Sequence, residues 1–308
     1  MNATTPAATL NDAAGTASTR PWLQSYPPNV PQTIDENRIG TIVDIYKAAV
    51  ANYANRAAVE SFGTKMTYAE LNRSAEAVAS WLQGQGLTKG DRVAIMLPNV
   101  MAYPALMFGV LLAGGVVINV NPLYTARELR HQLLNARVQT LFVLENFAET
   151  VQEAMTDVTL TKIIIVKPGD LLGLKGQIVN LVSRYVKKAV KPYNIPGALS
   201  FASIYKQGLA KKPQPVEVKP DDIAFLQYTG GTTGISKGAI LLHRNVAANV
   251  LQCEAWMRPF FGERDDHTMV TGLRLYLLVA LTGGALLVRK SGGWRVRIAH
   301  AGVVAGGV

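Results

Sequence analysis

The sequence predicts an α/β fold built on a largely parallel sheet, and three observations carry that expectation. Short apolar, β-branched runs alternate with longer helical patterns through the middle of the chain. Those runs are apolar nearly throughout, as strands are when helices cover both faces of a parallel sheet. Half of the chain (49%) is hydrophobic and 17% is charged, the balance of a packed globular protein rather than a disordered one.

The opening MNATTPAATLNDAAGTASTRP has neither the basic start nor the apolar core of a secretory signal. Its Ala/Thr/Asn bias predicts a loose arm over residues 1–21, with the firmly folded part taking hold near Thr41. Thr67 and Glu70 form a Thr-x-x-Glu capping box that opens a helix running to about Gln83. Gly86 and Gly90 mark the turn into the strand RVAIML (92–97). A helix over about Val100–Ala113 ends at Gly114-Gly115, and the strand VVINV (116–120) follows. Thr125 and Glu128 repeat the capping box and open a helix to about Asn135. TLFVL (140–144) and KIIIV (162–166) are strands with a helical segment between them, and IAFLQY (223–228) is another strand.

Residues 93–126 carry no charged side chain, yet they do not predict a membrane span. Pro98, Asn99, Pro104, Asn119, Asn121 and Pro122 divide them into strand, helix and strand, leaving no uninterrupted apolar run of about 20 residues. The later run 275–288 is too short to span alone.

The net charge of +10 is unevenly placed. Residues 162–219 hold 11 Lys/Arg against 2 acids, and residues 271–308 hold 5 Lys/Arg and no acid, so the remainder is acidic. Within the first basic region, Leu171, Leu174, Ile178, Leu181, Val182, Tyr185 and Ala189 fall on one stripe of a helix over 171–191, whose end carries Lys187, Lys188 and Lys191. The stripe reads as core-facing with lysines in water; contact with an anionic membrane surface is the other reading. No recognition-helix context, RNP-like strand or zinc spacing accompanies the charge, so nucleic acid is not an expected partner.

One cysteine, Cys253, excludes an intramolecular disulfide framework and Cys-rich metal sites. It reads as a small buried residue on a helix. His131 reads as structural, and His267 and His300 make no metal spacing. His243 reads as a packed residue or as a wall of a substrate pocket.

The sharpest chemical signal follows the strand 223–228. Residues 228–239, YTGGTTGISKGA, contain four glycines, three threonines, one lysine and no acid. Glycines let backbone N–H groups converge on phosphate oxygens, and Thr229, Thr232, Thr233 and Ser236 add hydroxyl donors. Lys237 adds a mobile positive charge. A plain turn between two strands does not call for a lysine held among small residues. The order Ser236-Lys237-Gly238 does not fit a Walker A loop, and Thr229 stands where a Rossmann fingerprint needs its first glycine.

The loop resembles the signature of the adenylate-forming enzymes, which include acyl-CoA synthetases, luciferases and nonribosomal peptide adenylation domains. Their pattern, aromatic-Thr-Ser/Gly-Gly-Thr-Thr-Gly-x-x-Lys-Gly, is met by Tyr228 through Gly238. Gly230 in place of serine, the run 91–133, the helix start at 67–71 and the stretch 239–250 resemble bacterial long-chain fatty acid–CoA ligases. The resemblance covers about residues 22–268. It implies the large N-terminal domain of that fold in incomplete form, with mostly parallel sheets flanked by helices. It also implies that a fatty acid carboxylate attacks the α-phosphorus of Mg-ATP, and that the thiol of coenzyme A then displaces AMP from the acyl-adenylate.

By the same resemblance, Tyr228, Thr229, Gly230, Gly231, Thr232, Thr233, Gly234, Ser236, Lys237 and Gly238 form the nucleotide site. Lys237 and Thr233 are the catalytic candidates, and Thr233 also reaches toward Mg²⁺. A cytoplasmic location, peripheral contact with the cytoplasmic membrane through 171–191, and a homodimer in the longer relatives are implied as well. A medium-chain or aromatic acid–CoA ligase and a non-enzymatic nucleotide- or membrane-binding module remain alternatives.

Several of the family's features have no counterpart in this sequence: the Tyr-Gly-x-Thr-Glu segment with its Mg²⁺-binding glutamate, the Thr-Gly-Asp aspartate, and the small C-terminal domain with its catalytic lysine. Residues 1–308 are therefore expected to lack independent activity. From residue 269 the composition changes: residues 271–308 hold 8 of the 27 glycines and no Asp, Glu, Asn, Gln or Pro. Tyr276 is followed by Leu277, where the family has a histidine. Residues 269–308 read as a non-homologous tail translated out of frame, with a divergent short form as the alternative.

Overall fold

The computed structural model describes residues 10–11, 17–18, 20–155, 158, 160–229, 236–261, 268–271 and 295–298. Strands β1 (Leu10–Asn11) and β2 (Ala17–Ser18) pair antiparallel by themselves. Helix α1 (Ile42–Tyr53) opens at Thr41, whose hydroxyl accepts from the Asp44 N–H while the Asp44 carboxylate accepts from the Thr41 N–H. A hairpin of β3 (Ala57–Ser61) and β4 (Thr64–Thr67) follows. The sequence pattern did not announce it, because its two turn residues, Phe62 (φ 48°) and Gly63 (φ 70°), are not the Asn-Gly or Asp-Gly pair that normally signals such a turn.

Helix α2 (Tyr68–Gly84) and strand β5 (Arg92–Met96) come next, then α3 (Ala102–Leu112), β6 (Val116–Asn119), α4 (Ala126–Asn135), β7 (Thr140–Leu144), α5 (Ala148–Ala154) and β8 (Lys162–Val166). Both expected capping boxes form, at Thr67/Glu70 and Thr125/Glu128, and each helix starts within a residue of its box. The chain continues through α6 (Leu174–Leu181) and a π-helical turn at Val182–Val186 to β9 (Leu199–Ser200), α7 (Phe201–Leu209), β10 (Ile223–Thr229), β11 (Lys237–Leu242) and α8 (His243–Phe261). Strands β12 (Thr268–Thr271) and β13 (Arg295–Ile298) are the last described elements.

Seven strands form one sheet in the order β11-β10-β6-β5-β7-β8-β9. All neighbours are parallel except β11, which runs antiparallel along the edge beside β10. Alternate residues of each strand feed two cores, as the period-2 geometry of a strand requires. Val93, Ile95, Val117, Phe142, Ile164 and Phe225 pack beneath α2, α3 and α7. Ala94, Met96, Ile118, Leu141, Val143 and Ile165 pack beneath α4 and α5. This is the α/β fold that the sequence predicted, with a mostly parallel sheet flanked by helices.

The uncharged stretch resolves as expected. Helix α3 is buried on every side, and at Gly109 a Cβ would stand 2.6 Å from that of Val78, so α2 and α3 meet at a distance only glycine allows. Among the described residues, no helix is long and apolar enough to cross a membrane.

A second, four-stranded sheet runs β12-β13-β3-β4. β13 pairs parallel with β3, and Arg297 reaches Glu60 at 3.1 Å. Residues 295–298, within the segment of changed composition, thus pair with a strand from the start of the fold.

The basic helix departs from the core-facing reading of its stripe. Leu174 (85% exposed), Ile178 (65%), Leu181 (57%) and Tyr185 (70%) point outward. Gly176 and Ser183 face the protein instead. The cause is a close backbone crossing: a Cβ on either Gly169 or Gly176 would lie 2.0 Å from the other's carbonyl oxygen. Polar groups complete the docking. The Gly169 N–H donates to Asn180 Oδ1 at 2.7 Å, and Arg184 pairs at 3.2 Å with the buried Glu145, which also accepts from the Tyr193 hydroxyl.

Candidate functional site

β10 enters the glycine- and threonine-rich segment at its carboxyl end, the edge of α/β sheets where ligands bind. β10 delivers the chain to Thr229, and β11 takes it back from Lys237, with Thr229 and Lys237 opposed across the ladder. The expected binding residues Gly230, Gly231, Thr232, Thr233 and Gly234 lie outside the described residues. Of Thr229 the structure gives the strand position alone. Ser236 and Lys237 stand at the return of the segment, and the Lys237 side chain is exposed.

The root of the segment is a packed cross-strand pair. Tyr228 opposes Gly238, and a Cβ on Gly238 would lie 2.9 Å from the Tyr228 ring. The ring fills the space that the glycine leaves open. Its hydroxyl donates to the Oδ1 of Asn135 at the end of α4. Burial holds the phenol above its ordinary pKa, so it stays a neutral donor. Tyr228, buried, and Gly238, half-buried, therefore fix where the two described ends of the segment stand.

Beside this pair runs a buried polar chain. The Tyr103 hydroxyl donates to Asn119 Oδ1 at 2.8 Å, and Asn119 Nδ2 donates to Gln227 Oε1 at 3.1 Å. Asn119 and Gln227 are register partners on β6 and β10, so the link ties β10, which delivers the chain to the segment, to its parallel neighbour β6. From α4, Gln132 donates to the Asn119 carbonyl at 2.9 Å, while its own Oε1 is buried without a partner. His131 on the same helix lies 3.3 Å from the Ser236 carbonyl.

Sequence reasoning missed this support. Its one available signal was a polar residue near the end of each of two apolar strands, Asn119 in VVINV and Gln227 in IAFLQY. His131, read as structural, does pack; what it packs against is the return of the loop.

His243 belongs to the other end of β10. It is 2% exposed, its Nδ1 accepts from the Ile42 N–H at the start of α1, and its own N–H donates to the Asp222 carbonyl. Burial lowers its pKa to about 4, partly opposed by Asp222 and Asp44. The length of β10, seven residues at about 3.3 Å each, separates it from the loop by roughly 20 Å. Among the described residues His243 is thus an acceptor for a free helix-start donor, and not a wall of the loop site. Cys253 lies half-buried on α8 beside Asn249. His267 and His300 lie outside the described residues.

The donor set suits the phosphates of a nucleotide better than a resident metal. Threonine hydroxyls, glycine amides and an exposed lysine gather in one segment, and an orphaned buried acceptor lies beside its root. No group of three or more His, Cys, Asp or Glu among the described residues could hold a metal ion. Thr233, the expected Mg²⁺ contact, lies outside the described residues.

Comparison with known proteins bears on the family and the fold. The chain is 42% identical to the long-chain-fatty-acid–CoA ligase of Escherichia coli O6:H1 over 281 residues, which are 91% of this chain and 50% of that protein. It is 36% identical to the ligase of the same name from Bacillus subtilis (strain 168) over 78% of this chain and 43% of that protein. It spans about half the length of these relatives. The fold matches the apo structure of MbtA of Mycobacterium smegmatis, with a TM-score of 0.66 and 22% identity over 84% of this chain and 44% of that one. It also matches the anthranilate CoA ligase AuaEII in complex with anthranoyl-AMP, with a TM-score of 0.65 and 19% identity over 88% and 45% of the two chains. A family profile described as AMP-binding enzyme matches residues 46–299, running past residue 268, where the motif resemblance was expected to end. With well over half of its residues inside that match, the chain belongs to the AMP-binding enzyme family.

Proposed function

We propose that this chain is the nucleotide-binding part of an ATP-dependent ligase that activates a long-chain fatty acid and transfers it to coenzyme A. The observation that carries the reading is the phosphate-type segment 228–238, rooted between β10 and β11 inside a region 42% identical to a long-chain-fatty-acid–CoA ligase. In the first step a carboxylate oxygen forms a bond to the α-phosphorus of Mg-ATP, and the bond to the β-phosphate bridging oxygen breaks. Acyl-adenylate and pyrophosphate result. In the second step the coenzyme A sulfur bonds to the acyl carbonyl carbon, its proton is lost, and AMP leaves.

Both reactants of the first step are anions, so the protein's contribution is position and charge. Residues 229–234 would hold the β- and γ-phosphates, and Thr233 would contact the Mg²⁺ that accompanies them. Lys237, exposed where the chain returns into β11, neutralises the charge that grows on the departing pyrophosphate. The Tyr228–Gly238 pair keeps the two ends of the segment in register, and the Asn119–Gln227 link anchors β10 to β6.

The family's glutamate, aspartate and catalytic-lysine motifs have no counterpart among residues 1–308. The reading therefore has the isolated chain binding ATP without completing the cycle. Fatty-acid-dependent pyrophosphate release, followed by acyl-CoA formation, is the test. A chain of 1–308 that binds ATP, weakens on Lys237→Ala and releases no pyrophosphate supports the reading. Turnover by 1–308 alone refutes the inactivity, and absence of ATP binding refutes the site.

A further inference from the structure

We infer that a cleft at the amino edge of the seven-stranded sheet binds a small carboxylate with a short apolar body, at a site separate from the phosphate segment. The cleft measures about 390 Å³, inside the range of about 300–1,000 Å³ usual for small-molecule sites. Arg92, Val116 and Ile223 line it, and these are the first residues of the three adjacent strands β5, β6 and β10. The phosphate segment leaves β10 at its other end, roughly 20 Å away.

The rim is a built one. Gly90 (φ 88°) and Gly114 (φ 78°) turn through left-handed backbone, and the Gly90 N–H donates to the Gly114 carbonyl at 2.9 Å. A Cβ on Gly114 would stand 2.8 Å from Val216, so the chain that leads into β10 is seated against this turn. Val218 from that chain and Leu226 from β10 complete an apolar wall with Val116 and Ile223.

Charge and hydrogen bonding select the occupant. The carboxylates around the cleft are already engaged: Asp222 with Lys89 at 2.6 Å, Asp221 with Arg244 at 2.9 Å, and Asp91 with the Thr88 N–H and hydroxyl. Arg92, half-buried, forms no ion pair among the described residues, so the cleft keeps one positive charge uncompensated. His243 is an independent second pointer. Burial keeps its ring neutral at pH 7, and Nδ1 accepts from the Ile42 N–H, so the ring proton sits on Nε2. The two ring nitrogens point apart, and Nε2, turned away from α1, has no partner among the described residues although His243 is 2% exposed and lines the cleft. A carboxylate meets this set: its oxygens suit the planar fork of a guanidinium, and one can also accept from Nε2–H. A bare phosphate would leave the apolar wall unused, and a cation would face Arg92.

The test is titration calorimetry of the whole chain with hexanoate near neutral pH, with hexanamide and inorganic phosphate as controls. Hexanoate binds at one site, and each control binds about tenfold more weakly or less. Arg92→Met weakens hexanoate about 10- to 100-fold, the loss of one charge-assisted contact, with an unchanged circular dichroism spectrum. Val218→Asp, placed in a loop, sets a like charge against the ligand and weakens it with Arg92 intact. Hydrogen exchange slows with hexanoate over residues 88–92 and 216–223, and saturating ATP leaves the affinity within about twofold. No binding, displacement by ATP, a control that binds as tightly as hexanoate, or full affinity in both variants overturns the inference. A chain that takes hexanoate at this cleft but no ATP refutes the nucleotide reading alone.

Discussion

Replacing Gly238 by alanine tests whether the root of the phosphate segment is held by packing. The added Cβ would stand 2.9 Å from two carbons of the Tyr228 ring and 3.3 Å from its hydroxyl oxygen. Carbon atoms settle at about 3.5 Å or more, so ring and strand must part by roughly 0.6 Å. The ring cannot swing away freely, because its other side packs into the core under α4 and its hydroxyl is bonded to Asn135. Overpacking of this kind costs about 1–3 kcal/mol, and stretching the Tyr228–Asn135 bond adds about 1 kcal/mol. A total of about 2–4 kcal/mol lowers the melting temperature by about 3–6 °C.

Thermal unfolding of a double-mutant cycle isolates the cause. In a Tyr228→Leu background the ring is gone, and Gly238→Ala should then cost under about 0.5 kcal/mol. ATP affinity, read by titration calorimetry, should fall with Gly238→Ala in the native background, because Lys237 and Thr229 sit one residue from the displaced pair. An equal stability cost in both backgrounds would refute the packing argument.

Lys237→Ala should leave the melting temperature within about 1 °C, since the side chain is exposed, and should weaken ATP binding about 10- to 100-fold, the loss of one charge-assisted contact. Gly208→Ala should destabilise by about 3 kcal/mol or more in chemical denaturation, because its Cβ would lie 1.9 Å from the Ala77 carbonyl where α7 crosses α2. Gly84→Ala, with nothing within 4 Å, should be neutral or stabilising by about 0.5 kcal/mol. His243 is buried with its pKa depressed to about 4, so the unfolded chain takes up the proton first as pH falls from about 6.5. Stability should therefore drop between about pH 6.5 and 4, by up to about 3 kcal/mol, and His243→Asn should flatten that part of the melting-temperature profile. Asp170, raised by burial to about 6, acts with the opposite sign between about pH 4 and 6, so the comparison is between wild type and variant at each pH.

What the sequence made legible was local. The boxes at Thr67/Glu70 and Thr125/Glu128 located two helix starts because the side chain, the backbone donor and their spacing all lie within four residues. Strands 140–144 and 162–166 were bounded correctly because β-branched runs stop where polar residues begin. The glycine- and threonine-rich segment stood out because its donors are concentrated in twelve residues. The supports of that segment were not visible, since Tyr103, Asn119, Gln132, Asn135 and Gln227 come together only when β6, β10 and two helices meet. The basic helix shows the same limit from the other side. Its periodicity correctly gathered Leu174, Ile178, Leu181 and Tyr185 into one stripe, yet a stripe has no sign until something decides which way it faces. Two glycines seven residues apart decided it, and their contact is backbone on backbone, invisible to any hydrophobic pattern.

The two polar clusters of β10 separate the support of the fold at one end from the exposed lysine at the other. At the start of the strand, His243 and Asp222 join α1, β11 and the preceding loop, and no exposed charge is involved in the His243–Ile42 link. At the far end, Tyr228, Gln227 and Asn119 hold the strands from beneath while Lys237 stands in solvent above them. Stabilising groups are buried and bonded; the group assigned to the phosphates is exposed and spends no packing on the fold. The proposed function would need that division, with a lysine free to follow a departing pyrophosphate and a segment returned to the same place at each turnover. Substitutions in the buried set should therefore move stability and ATP affinity together, whereas substitutions at Lys237 should move affinity alone.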